Sequence, residues 1–215
     1  MSAWLQGGTL LVSVMTALWW WRVQHVGKRR FEIAEEALVS FALAKDALEY
    51  IRSPGSFSGE GEKRPRQDGE TEGQRNRRDA YFVPIERINK TVEKFAGLRK
   101  TQILCKHHFG QDAYDAFGVL LDVRHIVSVS AAMLIEIAGE LDFADKDLRR
   151  EWEADIWGRK NEKDLLYTRL VEAESKLEMV CKPVLRHWAN PLPMWLVKRL
   201  EPVTERVARS ITTYL

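Results

Sequence analysis

The chain has few cysteines, little net charge and no strand-like pattern. Each of these absences excludes a class of protein. Its 215 residues include two cysteines, Cys105 and Cys181. This excludes the dense cysteine spacing of a secreted disulfide scaffold and fits a reducing compartment. Lys and Arg number 33 against 31 Asp and Glu, a net charge of +2 that excludes nucleic-acid binding through bulk charge. No alternating apolar and polar run, internal repeat or nucleotide-binding strand-loop-helix pattern is present.

The N-terminal segment from Ala3 to Trp21 lacks any charged side chain. Such a run is close to the ~20 residues that cross a bilayer core. Trp4 lies at one end and Trp19 and Trp20 at the other, where indole rings favour the headgroup layers. No Lys or Arg precedes the run, which argues against a cleaved signal peptide. A buried core helix is the alternative, and the flanking tryptophans favour a transmembrane anchor over residues 1–22.

Basic residues follow the anchor, with no acid before Glu32: Arg22, Lys28, Arg29 and Arg30. Because cationic flanks stay on the cytoplasmic side, the N-terminus should lie outside and residues 22–215 in the cytoplasm. The predicted membrane-interface set is therefore Trp4, Trp19, Trp20, Trp21 and these four basic residues.

Small residues recur every four positions within the anchor, at Thr9, Ser13 and Ala17. A small-residue stripe lets two helices approach closely in lipid, so it predicts self-association through the span, although such stripes also occur in monomeric anchors.

Helical spacing dominates beyond the anchor and predicts an all-α protein. A juxtamembrane helix over 23–52 should continue the span and end at Ser53-Pro54-Gly55. Residues 53–80 hold one large apolar side chain, Phe57, among many charges, which predicts a charged flexible loop. Residues 81–215 should form an antiparallel helical bundle with helices over about 84–110, 110–141 and 145–181, the last interrupted near 158–161. A final amphipathic helix after the 190–193 turn could pack on the bundle or rest on the inner leaflet.

One motif carries a resemblance. The stretch from Ile51 to Phe57, followed by Gly59-Glu60-Gly61, resembles an uncharacterised group of bacterial single-span inner-membrane proteins, as do residues 109–134 and 176–185. The resemblance implies a bacterial inner membrane and supplies no activity, cofactor or catalytic residue.

Candidate metal ligands cluster around one predicted helix end. Cys105 and His108 are three residues apart, Asp112 is a turn further on, and His125 follows on the next helix. A tetrahedral zinc site needs four such ligands, but the remaining spacing does not repeat the motif. A packed cysteine and ordinary helix-end histidines are the alternative, and no cofactor is predicted.

Three functional hypotheses remain. The first is a non-enzymatic, membrane-tethered interaction or scaffold module with a protein partner, the lipid bilayer and no nucleic acid, since acids interleave the arginines of the loop. The second is a metal-dependent enzyme or sensor that uses the Cys, His and Asp cluster. The third is an oligomeric envelope or stress component.

Overall fold

A computed structural model describes residues 2–138, 146–158 and 163–189, with side chains from 13 onward except at 19, 22, 23 and 187–189. All regular structure in these ranges is helical, which confirms the all-α prediction. The helices are α1 (Ser2–Ile51), α2 (Glu72–Lys90), α3 (Val92–Phe95), α4 (Leu98–Phe109), α5 (Gln111–Ile137), α6 (Lys146–Ile156) and α7 (Leu165–Ala189).

Helix α1 contributes its second half to a compact unit formed by Ile33–Cys181. The three-and-four spacing of its apolar residues buries one face, which consists of Ile33, Ala34, Ala37, Phe41, Ala44, Ala47, Leu48 and Ile51. The Phe41 ring meets the Phe117 ring edge to face at 5.7 Å. The sequence pattern predicts a juxtamembrane helix over 23–52 that is separate from a bundle over 81–215. In the structure residues 33–51 share the core of the bundle, because alanines allow close packing.

Helix α5 is the central helix of this unit, with nine buried residues and contacts to α2, α4 and α6. By length and mean hydropathy alone, it is also the one candidate membrane span within the part of the chain that the structure describes. A core helix packed on several sides needs the same composition as a membrane span, and the contacts of α5 account for its apolar character.

The segment predicted as one helix over 84–110 is broken into three. Helix α2 begins earlier, at a capping box in which Thr71 accepts from the Gln74 amide and the Gln74 side chain accepts from the Thr71 amide. The chain leaves helix at Thr91 and at Gly97, whose φ is +84°. The predicted interruption near 158–161 is confirmed, since α6 ends at Ile156 and α7 begins at Leu165. The predicted turn at 190–193 and the last helix lie outside the described residues.

Candidate functional site

Arginines from elsewhere in the chain cap three helix C-termini in the compact unit. The last carbonyls of a helix have no partner within the helix, and they form the negative end of its dipole. Arg87 of α2 donates to the end of α1, Arg77 and Arg78 of α2 donate to the end of α5, and Arg52 donates to the end of α6. These guanidinium groups satisfy the carbonyls and neutralise the helix ends.

The most buried of these arginines, Arg87, uses all five of its N–H donors. Its Nη1 donates to the carbonyls of Tyr50 and Ser53 at 3.1 and 2.8 Å, and its Nη2 donates to the carbonyl of Gly55. The Nε and Nη2 atoms also donate to the two carboxylate oxygens of Glu60, at 3.2 and 2.6 Å. Arg87 is 1% exposed. A single side chain therefore fixes the chain where α1 ends and turns away.

Glu60 and Glu86 hold the segment that follows α1. The Arg87 hydrogen bond lowers the pKa of Glu60 to about 2 against the opposing effect of burial. The Glu60 carboxylate also accepts from the Phe57 amide at 3.0 Å. Glu86 accepts from the Gly61 amide at 2.8 Å, and this bond, with Lys90, lowers the pKa of Glu86.

Gly61 lies where only glycine fits. Its φ is +84°, and an added Cβ would come within 2.2 Å of the Asp79 carbonyl oxygen. This close approach brings the segment after α1 against α2.

The predicted charged loop, residues 53–80, pairs its charges internally. Arg64 is buried and contacts Glu70 at 2.7 Å and Asp79 at 3.2 Å, while Arg78 contacts the other oxygen of Glu70 at 2.7 Å. Arg66 contacts Asp79 at 2.7 Å. The prediction of a flexible loop relied on composition, which gives the number of charged residues but not which of them form pairs. In the structure, paired charges offset part of each other's desolvation cost. The sequence feature that could have indicated this pairing is the equal number of basic and acidic residues, six of each, between Glu60 and Asp79.

A cleft of about 560 Å³ lies between the end of α1 and the start of α7. Arg52 lies in its wall and donates to the carbonyl of Asp155 at 2.7 Å and to the carboxylate of Asp164 at 2.9 Å. Gly158 lies against Arg52. The Gly158 amide donates to the Arg52 carbonyl at 2.8 Å, and a Cβ added at Gly158 would lie 3.2 Å from the Arg52 side chain. The cleft is thus built on a buried ion pair. Its other polar or aromatic lining residues include Asp46, Glu49, Tyr50 and Tyr167.

The structure does not bring the predicted metal ligands together. Cys105 is buried in the core, and burial raises its pKa to about 12, which disfavours the thiolate that binds metal. His108 is half-buried near the end of α4, while Asp112 and His125 are exposed on α5. No group of three His, Cys, Asp or Glu side chains among the described residues could hold a metal ion. Spacing along the chain failed here because the helix breaks at Gly110 between His108 and Asp112.

Part of the predicted membrane interface falls within the described side chains. Trp20, Trp21, Lys28, Arg29 and Arg30 are exposed, as are Ser13 and Ala17 of the small-residue stripe. Arg29 contacts Glu32 at 3.2 Å, and Lys28 contacts the same carboxyl group at 3.9 Å. The side chains of Trp4, Thr9, Trp19 and Arg22 lie outside the description. The membrane role of this set stays a prediction.

Comparison with known proteins yields no relative. No family model, no curated protein and no solved structure matches the chain.

Proposed function

We propose that this protein is a membrane-tethered interaction module, in which the first part of α1 spans a bacterial inner membrane and residues 33–181 lie in the cytoplasm. The observation that carries the proposal is a run of large apolar side chains on α1, each more than half exposed: Val14, Met15, Leu18, Trp20, Trp21 and Val26. Full burial of one such side chain is worth about 1.5–3 kcal/mol, so a run of six favours an apolar environment such as lipid. Lys28, Arg29 and Arg30 then favour the cytoplasmic side.

The polar groups of the compact unit support a non-enzymatic role. Among the described residues, its most buried arginines, Arg52, Arg64 and Arg87, are engaged in helix caps and ion pairs. These caps and ion pairs keep the surface of the compact unit rigid, as an interaction module requires. A metal-dependent enzyme or sensor is less well supported, because its four candidate ligands lie apart.

A reporter fusion tests the tether and its orientation. Green fluorescent protein fused after Leu215 should fluoresce in cells, and alkaline phosphatase fused at the same place should be inactive, because the fusion lies in the cytoplasm. The full chain should stay with membranes after alkaline carbonate extraction, whereas a chain without residues 2–22 should be released. An active phosphatase would contradict the orientation, and release of the full chain would contradict the span.

Self-association through the span is a second proposal, which rests on the four-residue spacing of the small residues Thr9, Ser13 and Ala17. Ser13→Leu should weaken association in a bacterial transmembrane-helix assay, since bulk at a small-residue contact separates the two backbones. Met15→Leu, on the opposite side of α1, is the matched control. Equal signals from both variants and the parent would remove the stripe as an oligomer contact.

A further inference from the structure

The last part of the chain differs in charge from the rest. Residues 182–215 hold six Lys or Arg and two Glu, whereas the whole chain has 33 basic and 31 acidic residues. The remainder of the chain is therefore slightly acidic. A basic segment of this kind is attracted to negatively charged surfaces, and the anionic phospholipids of an inner leaflet form such a surface.

The same part of the sequence predicts helix with one apolar side. Trp188 and Trp195 flank the predicted turn at 190–193, and indole rings favour the headgroup layer of a bilayer. Pro202, which is tolerated in the first turn of a helix, divides the run between Leu200 and Val203. Apolar residues recur every four positions on both sides of it, at Leu196 and Leu200 and then at Val203, Val207 and Ile211. An apolar stripe with basic residues on other faces is typical of a helix that lies in the membrane interface.

Helix α7 runs antiparallel to α1 within the compact unit Ile33–Cys181. Asp164, directly before α7, contacts Arg52 at 2.9 Å, just after the end of α1. Glu174, further along α7, contacts Lys45, which lies earlier in α1, at 2.5 Å. As α7 approaches Cys181 it therefore approaches the Ile33 end of the unit, which is the end where α1 enters it.

The end of α7 lies in the same compact unit as the first part of α1. From Lys182 to Ala189, α7 belongs to a second unit that also contains residues 1–32. Those residues carry the exposed apolar side chains of the proposed span, and Arg29 and Arg30 after them are exposed. Arg186 of α7 is exposed as well. The chain thus reaches residue 190 in the unit that contains the proposed span.

The cleft of the compact unit Ile33–Cys181 is a less suitable surface for the apolar stripe. This cleft lies beside the start of α7, at Asp164 and Tyr167, whereas the C-terminal segment follows the other end of that helix. Its wall also includes Asp46, Glu49 and Arg52. Apolar side chains laid over these groups would remove them from water without replacing their hydrogen bonds. A lipid surface suits both the apolar and the basic side of the segment.

We infer that residues 194–211 lie on the anionic inner leaflet as a second membrane contact. The apolar stripe enters the boundary between headgroups and acyl chains, and the basic side chains bind lipid phosphates. These basic residues are Lys198, Arg199, Arg206 and Arg209. The inference rests on the proposed tether and orientation and adds anionic phospholipid as a partner.

The test uses the full chain in vesicles of phosphatidylcholine with and without phosphatidylglycerol. Val207→Cys places an environment-sensitive fluorophore on the apolar stripe, and Thr212→Cys is the matched control on the polar side. The parent, whose two cysteines are buried, gives the background labelling. Lipids with a spin label near the headgroup should quench the probe at 207 more than the probe at 212, and only when phosphatidylglycerol is present. Added salt should reduce the quenching, because the contact is partly ionic.

A charge variant tests the role of the basic residues. Arg206→Gln with Arg209→Gln should remove at least about half of the quenching at 207, because each basic residue near an anionic surface adds to the attraction. Arg75→Gln with Lys94→Gln removes the same charge from exposed positions on α2 and α3, and it should leave the quenching unchanged. Circular dichroism of each variant verifies that it is folded.

Four results would overturn the inference. They are equal quenching at 207 and 212, equal quenching with and without phosphatidylglycerol, equal effects of the two charge variants, or a probe at 207 that is shielded from both spin-labelled lipid and iodide. The last result would show that the segment packs on protein instead. If the chain resists carbonate extraction while lipid does not quench the probe, the tether stands and this inference fails. Release by carbonate contradicts the tether itself.

Discussion

The Arg87→Lys substitution isolates the geometry of the guanidinium from its charge. Lysine keeps the positive charge beside Glu60 but has three donors where Arg87 uses five. At least two of the present acceptors must then lose a bond to a charged donor. The carbonyls of Tyr50, Ser53 and Gly55 are the ones at risk.

The expected loss follows from the number of bonds. A hydrogen bond to a charged group contributes about 1.5–3 kcal/mol, so two lost bonds amount to about 3–6 kcal/mol when no water replaces them. Ser53 and Gly55 are exposed residues, and water can satisfy part of their bonding. We therefore expect a destabilisation of about 3 kcal/mol, near the lower end. In a unit of this size it corresponds to a fall in Tm of about 6–12 °C.

The assay is thermal and urea unfolding of the full chain in detergent at neutral pH, followed by far-ultraviolet circular dichroism. Arg66→Lys is the matched control, because Arg66 pairs with Asp79 while its side chain is 42% exposed. A pair of that exposure contributes about 0–1 kcal/mol. If the Arg87 and Arg66 variants unfold at the same temperature, the cap at the end of α1 does not stabilise the fold as argued.

Three further predictions concern the same unit. Gly61→Ala should destabilise the protein more than Gly59→Ala in urea unfolding, because both glycines have positive φ but only at Gly61 would the new Cβ come within 2.2 Å of a carbonyl oxygen, that of Asp79; equal midpoints would contradict the close approach. The Glu60 contribution to stability should be present above pH 4.5 and be lost as the pH falls toward 2, since its folded pKa is lowered from 4.5 to about 2. A Glu60→Gln variant should show a smaller loss over that range, and an identical acid profile would count against the Arg87 pair. Both buried cysteines should react slowly with a thiol reagent at pH 8 and fully in urea, because burial raises the pKa of Cys105 to about 12 and of Cys181 to about 11; fast labelling of the native protein would refute this.

The sequence determined the class of the fold and several of its boundaries, because these depend on local interactions. Apolar spacing of three and four residues predicted helices throughout, and Ser53-Pro54-Gly55 predicted the end of α1.

Only the tertiary structure decided which charged groups are buried. Helical spacing in the sequence places Ile85 and Ile88 on the apolar side of α2. The structure buries Ile88, but it also buries Glu86 and Arg87 and leaves Ile85 half-buried. Arg87 is buried because its partner Glu60, 27 residues away in sequence, and the carbonyls at the end of α1 arrive beside it. Local sequence patterns do not show which distant residues come into contact. The charge pairs of residues 53–80, the shared core of α1 and the cleft between α1 and α7 therefore follow from the packing of the helices, since each depends on contacts between residues distant in the chain.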